Sequence, residues 1–200
     1  MSEYFRTYVA YRLITDNIEE KNRLKSFLSL NPMLLLSSID YISLTMMLAT
    51  FVLLGMPMLS VNQTVKYEKL NPNWKRSIVA LSGPFSFLLF GGLFGIIYNV
   101  EVLCSNLHHF EGSISQALYL GARLLAFLTI INVLPFPPIT DGFMATSPYL
   151  PDWVNLEISN ARNTILFFIL CTLLFIFIAQ SKLVADIVDI VVSNLYMIKI

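Results

Sequence analysis

The chain has 200 residues, 56% of them hydrophobic and only 13% charged, and its mean hydropathy is +0.68. A soluble domain carries about 25% charged residues, so a water-soluble globule and a disordered chain are both excluded. Thirteen basic residues balance thirteen acidic ones, which leaves no net charge to hold a nucleic-acid backbone, and Cys104 and Cys171 lack ligand-like spacing.

Residues 1–32 mix Tyr4, Phe5, Tyr8, Tyr11, Leu13 and Ile14 with Arg6, Arg12, Lys21, Arg23 and Lys25. The pattern predicts an amphipathic helix lying at a membrane interface, its aromatic rings among the headgroups. It lacks the unbroken apolar core and the small-residue cleavage site of a signal peptide.

A spanning helix needs about 20 mostly apolar residues, because hydrocarbon offers its backbone no other hydrogen-bond partner. Four stretches qualify: 33–59, 78–100, 117–138 and 164–180. The first carries Asp40 and the third Arg123, whereas the fourth has no charge. Each intramembrane charge costs about 2.5–3.5 kcal/mol at a helix centre. An Asp40–Arg123 ion pair fixing the register of two parallel helices is therefore expected. Lys66, Lys69, Lys75 and Arg76 lie between the first two spans, and the following loop has neither Lys nor Arg. This places the first and third loops on the cytoplasmic or matrix side.

Within the second span, Gly91, Gly92 and Gly95 predict close helix packing. His108, His109 and Glu111 sit in the next loop and read as polar capping groups, since adjacent histidines point apart. After the third span, Pro148, Tyr149, Pro151 and Trp153 suit a chain running along the interface. From 183 to 200, Leu183, Ile187, Val191 and Leu195 recur at helical spacing, with Asp186 and Asp189 elsewhere on the surface. This predicts an amphipathic C-terminal helix packed on the bundle.

Two patterns carry more information. Leu81-Ser82-Gly83-Pro84 opens the second span, and Asn132-Val133-Leu134-Pro135-Phe136-Pro137-Pro138-Ile139-Thr140-Asp141-Gly142 closes the third. The prolines remove backbone donors at membrane depth, where broken backbone survives only inside protein or beside a cavity. In order and spacing these patterns resemble the intramembrane metalloproteases of the site-2 protease family. Gly83 and Pro84 match its alanine-glycine-proline motif. Asn132, Pro135, Pro137 and Ile139 follow its N-x-x-P-x-P-x-L-D-G motif, with Asp141 and Gly142 coming one residue late.

The resemblance covers residues 33–145 and implies a three-helix core; around it stand the amphipathic segment 1–32 and residues 146–200, which hold an interfacial loop, the fourth span at 164–180 and the amphipathic C-terminal helix. The whole is an all-α integral membrane protein with about four transmembrane helices, in a plasma membrane or a mitochondrial inner membrane. Activity is a separate matter. The family draws two zinc ligands and a general base from H-E-x-x-H. Aligned on Gly55, the corresponding positions are Ser43, Leu44 and Met47. Counted from Asn132, the family's third ligand falls on Thr140, one residue before Asp141, and an asparagine of the family is Phe87 here.

Each departure removes a metal-binding or polar group. The resemblance then implies a pseudoprotease with no catalytic residues and no zinc. Such a protein would be a helix-binding scaffold, or a structural subunit whose partners are the bilayer and another membrane protein's helices, with no role for nucleic acid. An active zinc protease with displaced ligands and a small channel or transporter module are the alternatives.

Overall fold

The computed structural model describes residues 2–13, 18–28, 72–108, 113–135, 140–162, 170, 171, 173, 174, 176–178 and 180–198. Nearly all of these are helical and none lies in a strand. The expected first span, with Asp40, Ser43, Leu44 and Met47, falls outside the described residues, as does Pro137. In the expected fourth span the described residues between 170 and 178 are helical, and Leu170, Leu173, Leu174 and Phe177 are exposed.

Two long helices form the frame. Helix α3 runs Asn73–His108 and α4 runs Ser113–Val133, after α1 (Ser2–Leu13) and α2 (Ile18–Phe27). Both contain a stretch long and apolar enough to cross a membrane, Asn73–Leu103 and Ile114–Val133. Helix α3 overruns the expected 78–100 at both ends. Helix α4 stops at Val133 rather than 138, because the residue before a proline is forced out of helical backbone and Pro135 follows Leu134.

The two pack antiparallel, as three rungs show. The Tyr98 and Tyr119 rings lie 6.4 Å apart. The Phe94 ring covers Gly121. The Thr129 hydroxyl donates to the Leu125 carbonyl at 2.8 Å and lies 3.5 Å from the Pro84 carbonyl oxygen. Ser82 and Ser86 donate to the carbonyls of Val79 and Gly83, both at 2.6 Å. These hydroxyls keep polar contacts within the helix around Pro84, which has no N–H of its own.

Size is distributed unusually across α3. Its buried positions are mostly small: Ala80, Ser82, Gly83, Ser86, Gly91 and Gly95. Its exposed positions are large: Ile78, Leu81, Phe85, Leu89, Leu93, Ile96, Val100 and Leu103 recur along one face. Helix α4 repeats the arrangement, with Ala122 and Ala126 buried and Leu120 and Leu124 outward.

The chain's two ends both close on α3. Helix α1 packs along its first turns, burying Ala10 with Leu24 and Val79, and Phe5 meets Phe85 at 6.5 Å. Lys75 Nζ donates to the carbonyl of Leu13, the last residue of α1, at 3.1 Å, where a helix's carbonyl end favours a cation. At the other end, α7 (Lys182–Ile190) leads into a π-helical turn, Val191–Leu195. Between them come α5 (Asp141–Thr146), a 3-10 turn (Ser147–Tyr149) and α6 (Asp152–Arg162).

Helix α7 packs on the bundle as expected, but through a neighbouring stripe. Val184, Val188, Val192 and Tyr196 are buried, joined to Ala122, Ala126 and Ile131 of α4. Leu183, Ile187 and Leu195 are exposed. Both stripes are apolar, so spacing alone does not rank them. The branched, shorter valines fit against alanines, and the Tyr196 ring enters the cleft that Gly91, Gly92 and Gly95 leave in α3. An added Cβ on Gly95 would stand 2.8 Å from the Tyr196 carbonyl oxygen. The glycines therefore do permit close approach, although the group that enters is a side chain with its own backbone. Met197 takes a left-handed φ of 56°, and Ile198 N–H then donates back to the Val192 carbonyl at 3.2 Å.

Candidate functional site

The two sequence patterns meet in space at the start of α3. Thr140, extended at φ −105° and ψ 155°, caps α5 by accepting a hydrogen bond from Phe143 N–H, and its hydroxyl donates to the Leu134 carbonyl. Ser77 Oγ donates to the Ala145 carbonyl at 2.6 Å, and Asn73 Nδ2 to the Pro148 carbonyl at 3.0 Å. Short helix α5 is thereby fixed against α3. Gly142 lies so close to the end of α4 that a Cβ would come 2.7 Å from the Leu134 carbonyl oxygen.

This anchoring aims Asp141, the first residue of α5, at Gly83. A Cβ on Gly83 would stand 2.7 Å from Asp141 Oδ2 and 2.6 Å from Arg6 Nη2. Arg6 Nη2 donates to Asp141 Oδ2 at 2.5 Å, and the side chains are 6% and 13% exposed. Burial holds the Asp141 carboxyl above its ordinary range, while the charge and hydrogen bond of Arg6 pull it part of the way back. A paired, nearly dry carboxylate of this kind is costly to strip of its partner.

Arg6 was expected among interfacial basic residues; instead it is buried. Arg6 and Ala10 lie four apart on one face of α1 with Thr7 buried beside them, and the short Thr7 and Ala10 side chains let α1 come close enough to α3 for the guanidinium to reach α5. A basic residue aligned with alanine rather than with other charges was the available signal.

Other expected positions go elsewhere. Asn132 Nδ2 donates within its own helix to the Leu128 carbonyl at 2.7 Å, and Pro135 is exposed beyond α4. Arg123 Nη2 lies 2.9 Å from Asp189 Oδ1 on α7; Asp40, its expected partner, is outside the described residues. Among the described residues, no three His, Cys, Asp or Glu side chains gather in a way that could hold a metal ion.

Around the same end of the bundle stand exposed aromatic rings. Trp74, Tyr149 and Trp153 are outward, and Lys75 Nζ sits 5.9 Å from the Trp74 ring centre. Pro151 starts α6 by accepting from Val154 and Asn155 N–H groups, which leaves Trp153 and Leu156 on an outer face. No known family model, curated protein or solved structure matches the chain.

Proposed function

We propose that the chain is an integral membrane protein whose core resembles that of the site-2 proteases, and that it works without catalysis, as a helix-binding scaffold or structural subunit. The observation that carries the reading is the meeting of Gly83 and Asp141, the landmarks of two motifs 58 positions apart, with the Arg6 guanidinium on the carboxylate. In the family that the motifs resemble, an aspartate one place earlier in this motif, where Thr140 stands here, binds zinc. Here Asp141 already has a fixed cation at 2.5 Å. A metal ion on the other carboxylate oxygen would stand beside that positive charge, and the chain's two histidines, His108 and His109, are adjacent in sequence rather than four apart. The residues at this place therefore do not fit a catalytic zinc.

Residence in a bilayer is supported by the reversal of size across α3 and α4. Water would penalise a continuous outer face of Ile, Leu and Phe over about 400 Å². Lipid accepts that face and leaves small residues to make the helix contacts. The Trp74, Tyr149 and Trp153 group then belongs to the headgroup level, where aromatic side chains with one polar edge collect.

Metal analysis of the detergent-solubilised protein, together with identification of the membrane proteins that co-purify, tests the reading. The expected result is no bound zinc and a stoichiometric membrane partner. Zinc near one per chain would overturn it.

A further inference from the structure

Arg123 and Asp189 form another charge pair among the described residues, and its setting is unlike that of Arg6 and Asp141. Arg123 stands tenth in the apolar stretch Ile114–Val133, so in the bilayer reading it lies near mid-depth, where an ionised side chain in contact with lipid is costly. Yet the two side chains remain 42% and 40% exposed. Beside them, α4 and α7 enclose a groove of about 470 Å³ lined by Leu120, Leu124, Phe127, Ala185 and Val188, with Arg123 along its wall. Leu183 and Ile187 add apolar surface on α7.

We infer that this face is the contact between two copies of the chain in the membrane. Such a contact rests on the proposed bilayer residence, and charge complementarity names its occupant. One cation and one anion side by side make a patch that is its own complement. A two-fold axis, which presents the same patch on both partners, sets each Arg123 against the partner copy's carboxylate and removes all four charged groups from lipid. The apolar groove then receives leucine side chains from the facing α4. A partner of one charge sign would satisfy only half of the patch, so a second copy suits it best.

The test uses donor-tagged and acceptor-tagged full-length chains in liposomes, read by energy transfer as protein is diluted with lipid. Wild-type chains should show transfer that falls on dilution. R123D gives a patch with two acids and D189R a patch with two bases, so each alone should lose transfer to the level of an unrelated single-span protein. An equal mixture of the two should recover the wild-type level, because their patches attract. L124W fills the groove without touching a charge and should also lower transfer, and helical content by circular dichroism checks that each variant is folded. Wild-type chains that resist alkaline extraction yet show no transfer overturn the inference. So do single charge variants or L124W that associate like wild type, or a mixture that fails to recover. Extraction of the wild-type chain by alkaline carbonate overturns the bilayer reading itself, a distinguishable result.

Discussion

Arg6 Nη2 and Asp141 Oδ2 meet at 2.5 Å across 135 positions of sequence, and the space they meet in exists because residue 83 has no side chain. Three elements thus converge on one contact: α1 supplies the cation, α5 the anion and α3 the gap. The convergence makes the pair a structural joint.

Breaking that joint from one side leaves a buried charge, and such losses cost about 3–5 kcal/mol. R6M and D141L should each destabilise the detergent-solubilised protein by that order. The R6M/D141L double variant should lose much less than the sum, because both charges leave together. Thermal or denaturant unfolding of the four proteins gives the coupling energy. Additive losses would show that the two side chains do not support each other.

The raised Asp141 pKa fixes the sign of a pH effect. Burial, the larger influence, makes the folded protein hold a proton on this carboxyl to higher pH than the unfolded chain does. Where the folded state binds more protons, stability falls as pH rises. Stability tied to Asp141 is therefore complete below the ordinary carboxylate range and declines as pH climbs through the raised value. Unfolding midpoints followed from acid to neutral pH should show this fall in the wild type, and D141N should flatten it. The same slope in both proteins would assign the titration to another group.

Tyr196 gives two opposite expectations from one side chain. Its ring fills the α3 cleft, so Y196A should cost about 3–5 kcal/mol, the usual loss when a large aromatic side chain leaves a cavity. Its hydroxyl is buried with no hydrogen-bond partner among the described residues, and burial pushes the phenol up to about 12. Y196F, which removes only the unsatisfied oxygen, should be neutral or stabilise by about 1 kcal/mol. G95A should destabilise even with the flexible ring shortened, since the obstruction includes the Tyr196 backbone. Unfolding of these three variants checks the order.

The register of α7 is open to a direct comparison. V188A removes two methyl-sized groups from the packed stripe and should cost about 2 kcal/mol. L183A trims a side chain on the exposed stripe and should change stability by less than about 0.5 kcal/mol. The reverse order would restore the stripe of Leu183, Ile187, Val191 and Leu195 that helical spacing first suggests.

Legibility followed the length over which each signal acts. Helices α3 and α4 were visible because their apolar runs are long and locally determined, and Pro135 explains why one of them stops early. The glycines of α3 announced a close approach but not its occupant, which lies in the last turn of the described chain. Composition groups Arg6 with Arg12 and Lys21, whereas its burial depends on a face of α1 meeting α3. Arg123 was recognised as a charge in need of compensation, yet its neighbour Asp189 comes from a segment with two equivalent apolar stripes. Which of those faces inward is decided by the partner's alanines, not by the segment itself.

The glycine cleft of α3 also constrains the order of events during synthesis. Gly91 leaves the ribosome 105 residues before Tyr196, an interval of about 5–20 s at ordinary elongation rates. Through that interval the nascent bundle carries an open notch with no native ring to fill it. Any neighbouring hydrophobic helix, or a chaperone of the insertion machinery, then competes for the notch before the chain's own tail arrives.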